Sequence, residues 1–166
     1  MLQLAYKHKD SLHKEYLRIV DDDRYKWLFT SGYLSFTFDV KDDTWNCLQM
    51  VSMANSGDIL GFLSAEIDRP THSVFSLIAI NFYQKNLTFS KDFHHFLSDL
   101  FLKHKFNKIN FSMIMGNPIE PQYDRIVKKY GGRIVGIKKN DIMIHGSLYD
   151  LKLYEILRSE FNENYH

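Results

Sequence analysis

Side chains able to do chemistry are thinly spread along this 166-residue chain. Asp21, Asp22 and Asp23 stand in a row, and a divalent cation is one use for them. The alternating ligand spacing of an oxygen-rich metal loop is missing, however. Consecutive acids ahead of an apolar run also suit a helix start, where the backbone dipole favours negative charge. His94 and His95 are adjacent, and neighbours on a helix point apart, so they do not converge on one metal. Cys47 is the sole cysteine, which excludes an intramolecular disulfide and a multi-cysteine metal site. Inside an apolar strand it reads as a small buried hydrophobe. Asp150 has Lys152 and Arg158 as ion-pair candidates. Lys128, Lys129, Arg133, Lys138 and Lys139 are the longest basic grouping, divided between two elements. No Ser-His-Asp set, P-loop or dinucleotide fingerprint occurs.

The elements that position these groups follow from periodicity. Alternation over residues 108–115 puts Ile109, Phe111, Met113 and Met115 on one side of a strand. Gly116 allows a sharp exit, and Pro118 pushes Asn117 away from helical geometry. Pro121 suits the first turn of a helix whose Tyr123, Ile126, Val127 and Tyr130 fall at helical spacing, and Gly131-Gly132 stops it. Strands over 133–144 and 147–157 follow, joined at His145-Gly146. Upstream, residues 2–6 read as a short strand. Asp10-Ser11 caps a helix running to Asp22, and residues 24–30 form a short second helix. Residues 32–40 alternate as an extended segment. Residues 46–53 and 59–67 make a hairpin around the turn signal at 55–58. Residues 73–82 are an almost unbroken apolar strand, as expected at the centre of a sheet. Ser90 then caps a helix to His104, with Asp92 in its first turn and Phe93, Phe96, Leu97, Leu100 and Phe101 on its apolar face. A strand–helix–strand crossover makes strands 73–82 and 108–115 parallel neighbours.

The succession strand, Gly-Asn-Pro, helix, Gly-Gly, strand pair resembles the C-terminal half of the GNAT superfamily of acyl-CoA N-acyltransferases. The likeness is to the branch that acetylates ribosomal-protein alanines and antibiotics, and it rests on Gly131, Val135-Gly136, Gly146, Asp150, Tyr154, Ile156-Leu157 and Glu160. The resemblance implies an α/β (α+β) fold: a mixed, mostly antiparallel central sheet, splayed parallel strands four and five, and flanking helices. It implies acetyl-CoA as co-substrate, no metal, and a small-molecule or peptide amine as acceptor, attacked directly in a ternary complex. The acyl thioester would pair with main chain near Ile80 and Asn81. The pyrophosphate would rest on the loop and helix start at Lys85, Asn86, Thr88, Phe89 and Ser90, where free amides and the helix dipole favour an anion. Thr88 stands where the family carries Gly, so the backbone comes less close, with the Thr88 and Ser90 hydroxyls as replacement donors. The alternative is a structural turn with Phe89 buried. Asn117 matches the family Asn that contacts the cofactor arm or a helix end. Tyr123 is the candidate acid for the departing thiolate, since a phenol is neutral at pH 7 and able to donate; core packing is its other reading. Glu66 and Glu120 are the candidate bases for the amine.

Composition bounds these readings. One domain over residues 1–166 is expected, large enough for a real core. Hydrophobic content of 45% argues against disorder. A net charge of +1 gives no general drive toward nucleic acid or an anionic membrane. Cysteine usage suits a reducing cytoplasm. Tyr25, Trp27, Leu28 and Phe29 serve either as a homodimer face or as core. The rival reading is a non-catalytic module that keeps the fold for binding a ligand or protein.

Overall fold

The computed structural model describes residues 1–28, 39–42, 44–83 and 86–161. Strand β1 (Leu2–Leu4) leads through a single 3-10 turn into helix α1 (Lys9–Val20). Strands β2 (Cys47–Met53), β3 (Ile59–Asp68) and β4 (Ser73–Asn81) follow, then helix α2 (Leu87–Leu102), strand β5 (Lys108–Ile114), helix α3 (Glu120–Lys129), and strands β6 (Arg133–Ile144) and β7 (Ser147–Leu157). The strands make one sheet in the order β1-β2-β3-β4-β5-β7-β6, antiparallel throughout except for the parallel β4–β5 pair.

Side-chain alternation gives the sheet two apolar faces. Leu63, Ala65, Ile109, Phe111, Tyr154 and Ile156 face α2, whose Phe93, Phe96, Leu97, Leu100 and Phe101 are buried on them. Val51, Met53, Phe62 and Ile80 face the other way, onto Leu12 and Ile19 of α1. Both faces are needed because β3 is buried along nearly its whole length. The turns form where the backbone demands them. Gly57 has φ +94°, and the β6–β7 turn has φ +48° at His145 and +78° at Gly146, the paired positive values of a two-residue hairpin.

Several boundaries differ from the sequence expectation. The helix read as starting at Ser90 begins at Leu87, because Asn86 caps it: its Oδ1 accepts from the N–H of Thr88 at 3.0 Å and of Phe89 at 3.1 Å. Asp92 consequently lies beyond the first turn and is buried, accepting from Ser52 Oγ at 2.7 Å. Asp10 falls inside the first turn of α1, which stops at Val20. The short second helix is a 3-10 turn over Asp23–Leu28. The acid run does serve as a start signal: Asp22 accepts from Arg24 N at 3.0 Å, and the Arg24 hydrogen bonds hold the Asp22 carboxyl down at about 2. Phe29 and residues 32–38 of the extended segment expected over 32–40 lie outside the described residues, and residues 39 and 40 are not in a strand. Asp150 pairs with Lys139 at 2.7 Å rather than with Lys152 or Arg158, because the long hairpin brings β6 beside it.

Candidate functional site

Strands β4 and β5 begin side by side and then part. Only Ser73 with Lys108 and Val74 with Ile109 are paired, although β4 continues to Asn81 and β5 to Ile114. From residue 75 onward the β4 main chain has no ladder partner on that side. Buried backbone groups demand partners, so an extended ligand carrying amide or carbonyl groups can dock there as an added strand does. A cleft of about 270 Å³ occupies the gap. Phe75, Ser76 and Leu77 form one wall, and Asn110 and Ser112 form the other. Phe111 and Tyr154 also reach the cleft, yet they belong to the α2–α3 face. Val135, Lys138, Leu151 and Leu153 of β6 and β7 complete its lining.

The end of β4 is firmly held. Phe82 O accepts from Arg18 Nη2 at 2.9 Å and from Tyr25 Oη at 2.8 Å, which ties it to α1 and the following turn. Ile80 is buried under α1 and lies beyond the β4 residues that line the cleft. Asn81 turns its side chain back on Tyr83 N at 3.1 Å. Trp27 lies edge-on to Tyr149 at 5.2 Å, and Tyr25 packs against the α1-side core. These aromatics join the turn to the sheet.

At the start of α2, two of the amides that could hold an anion are already engaged. Asn86 takes those of Thr88 and Phe89, and its carbonyl takes Ser90 N. Phe89 is buried over Gly61, where a Cβ would stand 2.2 Å from its ring. Thr88 and Ser90 are exposed. Lys85 lies outside the described residues.

The β5–α3 turn is closed by its own side chains. Asn117 Oδ1 accepts from Ile119 N at 3.2 Å, and Glu120 Oε2 accepts from Gly116 N at 2.8 Å. Glu120 also pairs with Lys152 of β7, which is buried and reaches Asp124 at 3.1 Å. Tyr154 Oη donates to Asp124 at 2.6 Å. Burial alone would raise the Asp124 carboxyl, but the Tyr154 and Lys152 hydrogen bonds outweigh it and hold it below its ordinary value. Burial would lower Lys152, and the two carboxylates reverse this and raise it. Burial, reinforced by Asp124, raises the Tyr154 phenol. Glu120 is thus a structural anion with its cation in place.

Tyr123 sits between Phe93 at 5.8 Å and Phe111 at 5.9 Å, one ring behind the cleft. Burial pushes its phenol up to about 12, so it stays protonated at neutral pH. Glu66 is half-buried on β3, in register with Ser76 of β4. Register partners share a face, and alternation from the Phe62–Ile80 pair puts Glu66 and Ser76 on the α1 side, next to the cleft wall. Glu66 and Tyr123 thus belong to opposite faces of the sheet, and neither is among the residues lining the cleft. Cys47 is buried, its Sγ 3.3 Å from Ser64 Oγ, and burial raises its thiol. Among the described residues, no three His, Cys, Asp or Glu side chains converge on a metal-sized site, and no helix is long and apolar enough to cross a membrane.

A groove between α2 and α3 escaped the sequence reading. Ser90, His94, Gln122, Arg125, Ile126 and Lys129 line about 280 Å³. Arg125 and Lys129 are one helical turn apart, and Gln122 precedes Arg125 by three, so i,i+3 and i,i+4 spacing was the available signal. Nothing in the sequence says that α2 lies opposite.

No protein-family profile and no curated protein matches the chain. Solved structures do match. A spermidine N-acetyltransferase from Vibrio cholerae, in complex with CoA and spermine, is 16% identical over 96% of both chains with a TM-score of 0.76. A GCN5-related N-acetyltransferase from Brucella melitensis is 18% identical, over 96% of this chain and 76% of the other, with a TM-score of 0.69. The chain has the GNAT fold. A probable acetyltransferase, 15% identical over 96% of this chain and 93% of its own with a TM-score of 0.72, shares it. The GNAT fold expected from the Gly-Asn-Pro and Gly-Gly punctuation is therefore present along the chain, including the splayed parallel pair.

Proposed function

We propose that this GNAT-fold protein is an acetyl-CoA-dependent N-acetyltransferase acting on a small-molecule or peptide amine. The observation that carries the reading is the parting of β4 and β5 after two paired positions, which leaves β4 main chain without a ladder partner beside a cleft. Acetyl-CoA supplies an acyl thioester that an uncharged amine can attack directly. Main chain from Phe75 toward Asn81 would hold the acyl end by strand-like hydrogen bonds. Glu66, on the α1 side, is the group to take the amine's proton, and Tyr123, on the α2–α3 side, the group to protonate the thiolate. Holding both reactants in one cleft supplies much of the rate. Asn117 acts by shaping the turn into α3.

The acceptor side of the cleft favours a singly charged amine over a polycation such as the spermine in the Vibrio cholerae complex. None of the residues lining the cleft is Asp or Glu, and Lys138 is its one charged member. The engagement of the α2 amides by Asn86 favours a second reading, a binding module that has lost the reaction.

The test is a thermal melt with and without excess acetyl-CoA, followed by release of free CoA thiol with a panel of amines. Ligand at 100 times Kd adds about 2.7 kcal/mol, a Tm rise of roughly 5–11 °C at this size. A rise together with thiol release from monoamines supports the enzyme. A rise with no release from any amine supports the binding module. No rise at millimolar ligand overturns both as acyl-CoA readings.

A further inference from the structure

Resting on the proposed acyl-CoA reading, we infer that the 3-10 turn over Asp23–Leu28 is a clasp across the open end of the parted strands, and that Tyr25 and Trp27 are positioning residues for the donor. Each strand is held from outside. β4 pairs with β3 as far as Asn81, and β5 pairs with β7 as far as Ile114. Between them the ladder stops at Val74 and Ile109. Backbone pairing therefore leaves the spacing of the far ends unset. A misplacement of about 1 Å can cost on the order of 10²-fold in rate, so a donor lying along β4 needs that spacing fixed by other contacts.

The turn touches both ends. On one side, Tyr25 Oη donates to Phe82 O at 2.8 Å, just past β4, and Arg18 Nη2 donates to the same oxygen at 2.9 Å. On the other, Trp27 lies edge-on to Tyr149 of β7 at 5.2 Å. Its ring also reaches the exit of β5, where a Cβ on Gly116 would stand 3.8 Å from Trp27 Cη2. β5 and β7 are tied together there, since Met115 N donates to Asp150 O at 2.9 Å. Residues two apart on a 3-10 turn point about 120° away from each other. One short element therefore meets β4 with Tyr25 and the β5–β7 pair with Trp27.

Asp22 secures the base of the clasp. Its carbonyl accepts from Tyr25 N at 2.8 Å, and its carboxylate accepts from Arg24 N at 3.0 Å and from the Arg24 guanidinium at 2.9 Å. Burial raises the Tyr25 phenol, so its hydroxyl remains a donor at neutral pH. Arg18 is braced in turn by Glu15 at 2.9 Å and by the Tyr83 ring at 4.8 Å. The Phe82 side chain is buried with Leu12 and Ile19 of α1, in the cluster against which Tyr25 packs. Its carbonyl therefore cannot swing away without unpacking that core. Widening the gap requires breaking the bonds to Phe82 O or separating Trp27 from Tyr149.

The test joins a distance to an affinity in the wild type, Tyr25→Phe, Trp27→Phe and Trp27→Ala. Nitroxide labels on cysteines placed at exposed Ile78 of β4 and exposed Ile119, just past β5, in a Cys47→Ser background, report the gap by pulsed electron–electron double resonance. Calorimetric titration reports acetyl-CoA affinity, and far-UV CD with a melt confirms folding. The expected result is a broadened distance distribution and at least a fivefold loss of acetyl-CoA affinity in Trp27→Ala. Tyr25→Phe should broaden the distribution and lose at least threefold, and Trp27→Phe, which keeps a ring in place, should stay within twofold of the wild type. If Trp27→Ala does not fold, the nearly isosteric Tyr25→Phe decides. An unaltered distance distribution, or acetyl-CoA affinity within twofold of the wild type, in Trp27→Ala and Tyr25→Phe alike overturns this inference while leaving the acyl-CoA reading intact. A wild type that fails to bind acetyl-CoA at millimolar concentration overturns both.

Discussion

Lys152→Met tests the point where stability and site are most tightly joined. Lys152 is 7% exposed on β7. Its ammonium faces Glu120 and Asp124 of α3, and Glu120 in turn holds the Gly116 amide at the end of the splayed strand. Methionine keeps the apolar stem but leaves two carboxylates with no cation. Removing one partner of a buried pair destabilises by about 3–5 kcal/mol. The Asp124 side chain is 39% exposed, and water screens it, so the lower end, ~3 kcal/mol, applies. For a chain of this size that lowers Tm by about 6–12 °C.

The pH dependence has a definite sign. The folded Asp124 carboxyl lies below its unfolded value, so its contribution is complete above about pH 4 and is lost as pH falls through the folded value. The folded Lys152 ammonium lies above its unfolded value, so its contribution is present below about pH 10 and is lost as pH rises through the folded value. Between these limits the gap between wild type and variant is flat. Toward acid it narrows, because the orphaned carboxylates take up protons. Calorimetric melts at pH 7 and pH 3 measure both quantities. Adding Glu120→Gln and Asp124→Asn to the variant removes the orphaned charges and should restore part of the loss. A Lys152→Met protein melting within about 2 °C of the wild type at pH 7, less than 1 kcal/mol on this scale, refutes the reasoning. So does a gap that widens in acid.

Three further outcomes follow from particular contacts. Glu66→Gln should slow acetylation by about 10²–10⁴-fold at neutral pH with the KM for acetyl-CoA unchanged, the loss shrinking at alkaline pH where the amine is already neutral; a pH–rate profile reads this out, and an unchanged profile removes Glu66 as the base. Tyr123→Phe should leave Tm almost unchanged, within ~0.5 kcal/mol, because the hydroxyl has no hydrogen-bond partner among the described residues; a fall in kcat without a change in KM then separates proton donation from packing. Gly61→Ala would place a Cβ 2.2 Å from the Phe89 ring and 2.4 Å from Ile80 O; the backbone oxygen cannot yield cheaply, so a loss of about 1–3 kcal/mol is expected by denaturant unfolding, and wild-type stability would mean that α2 shifts freely over β3.

What the sequence determined by itself is the succession of elements and the placing of its turns. Strand and helix periods are local properties of side-chain direction. Turn positions follow from backbone sterics: Gly57, Gly131 and Gly146 all have positive φ. The β4–β5 crossover was legible because a strand–helix–strand unit has few ways to close. Tertiary structure decided the rest, because it depends on which distant groups meet. Ser90 and Asn86 are both good caps by type, and only the true helix start selects Asn86. Nothing local to β7 says that it inserts between β5 and β6, yet that insertion puts Lys152 against α3 and Asp150 against Lys139. Glu66 and Ser76 share a face through strand register. Arg125 and Lys129 look like ordinary solvent-facing charges until α2 is laid across from them, since a groove belongs to two helices and is written in neither.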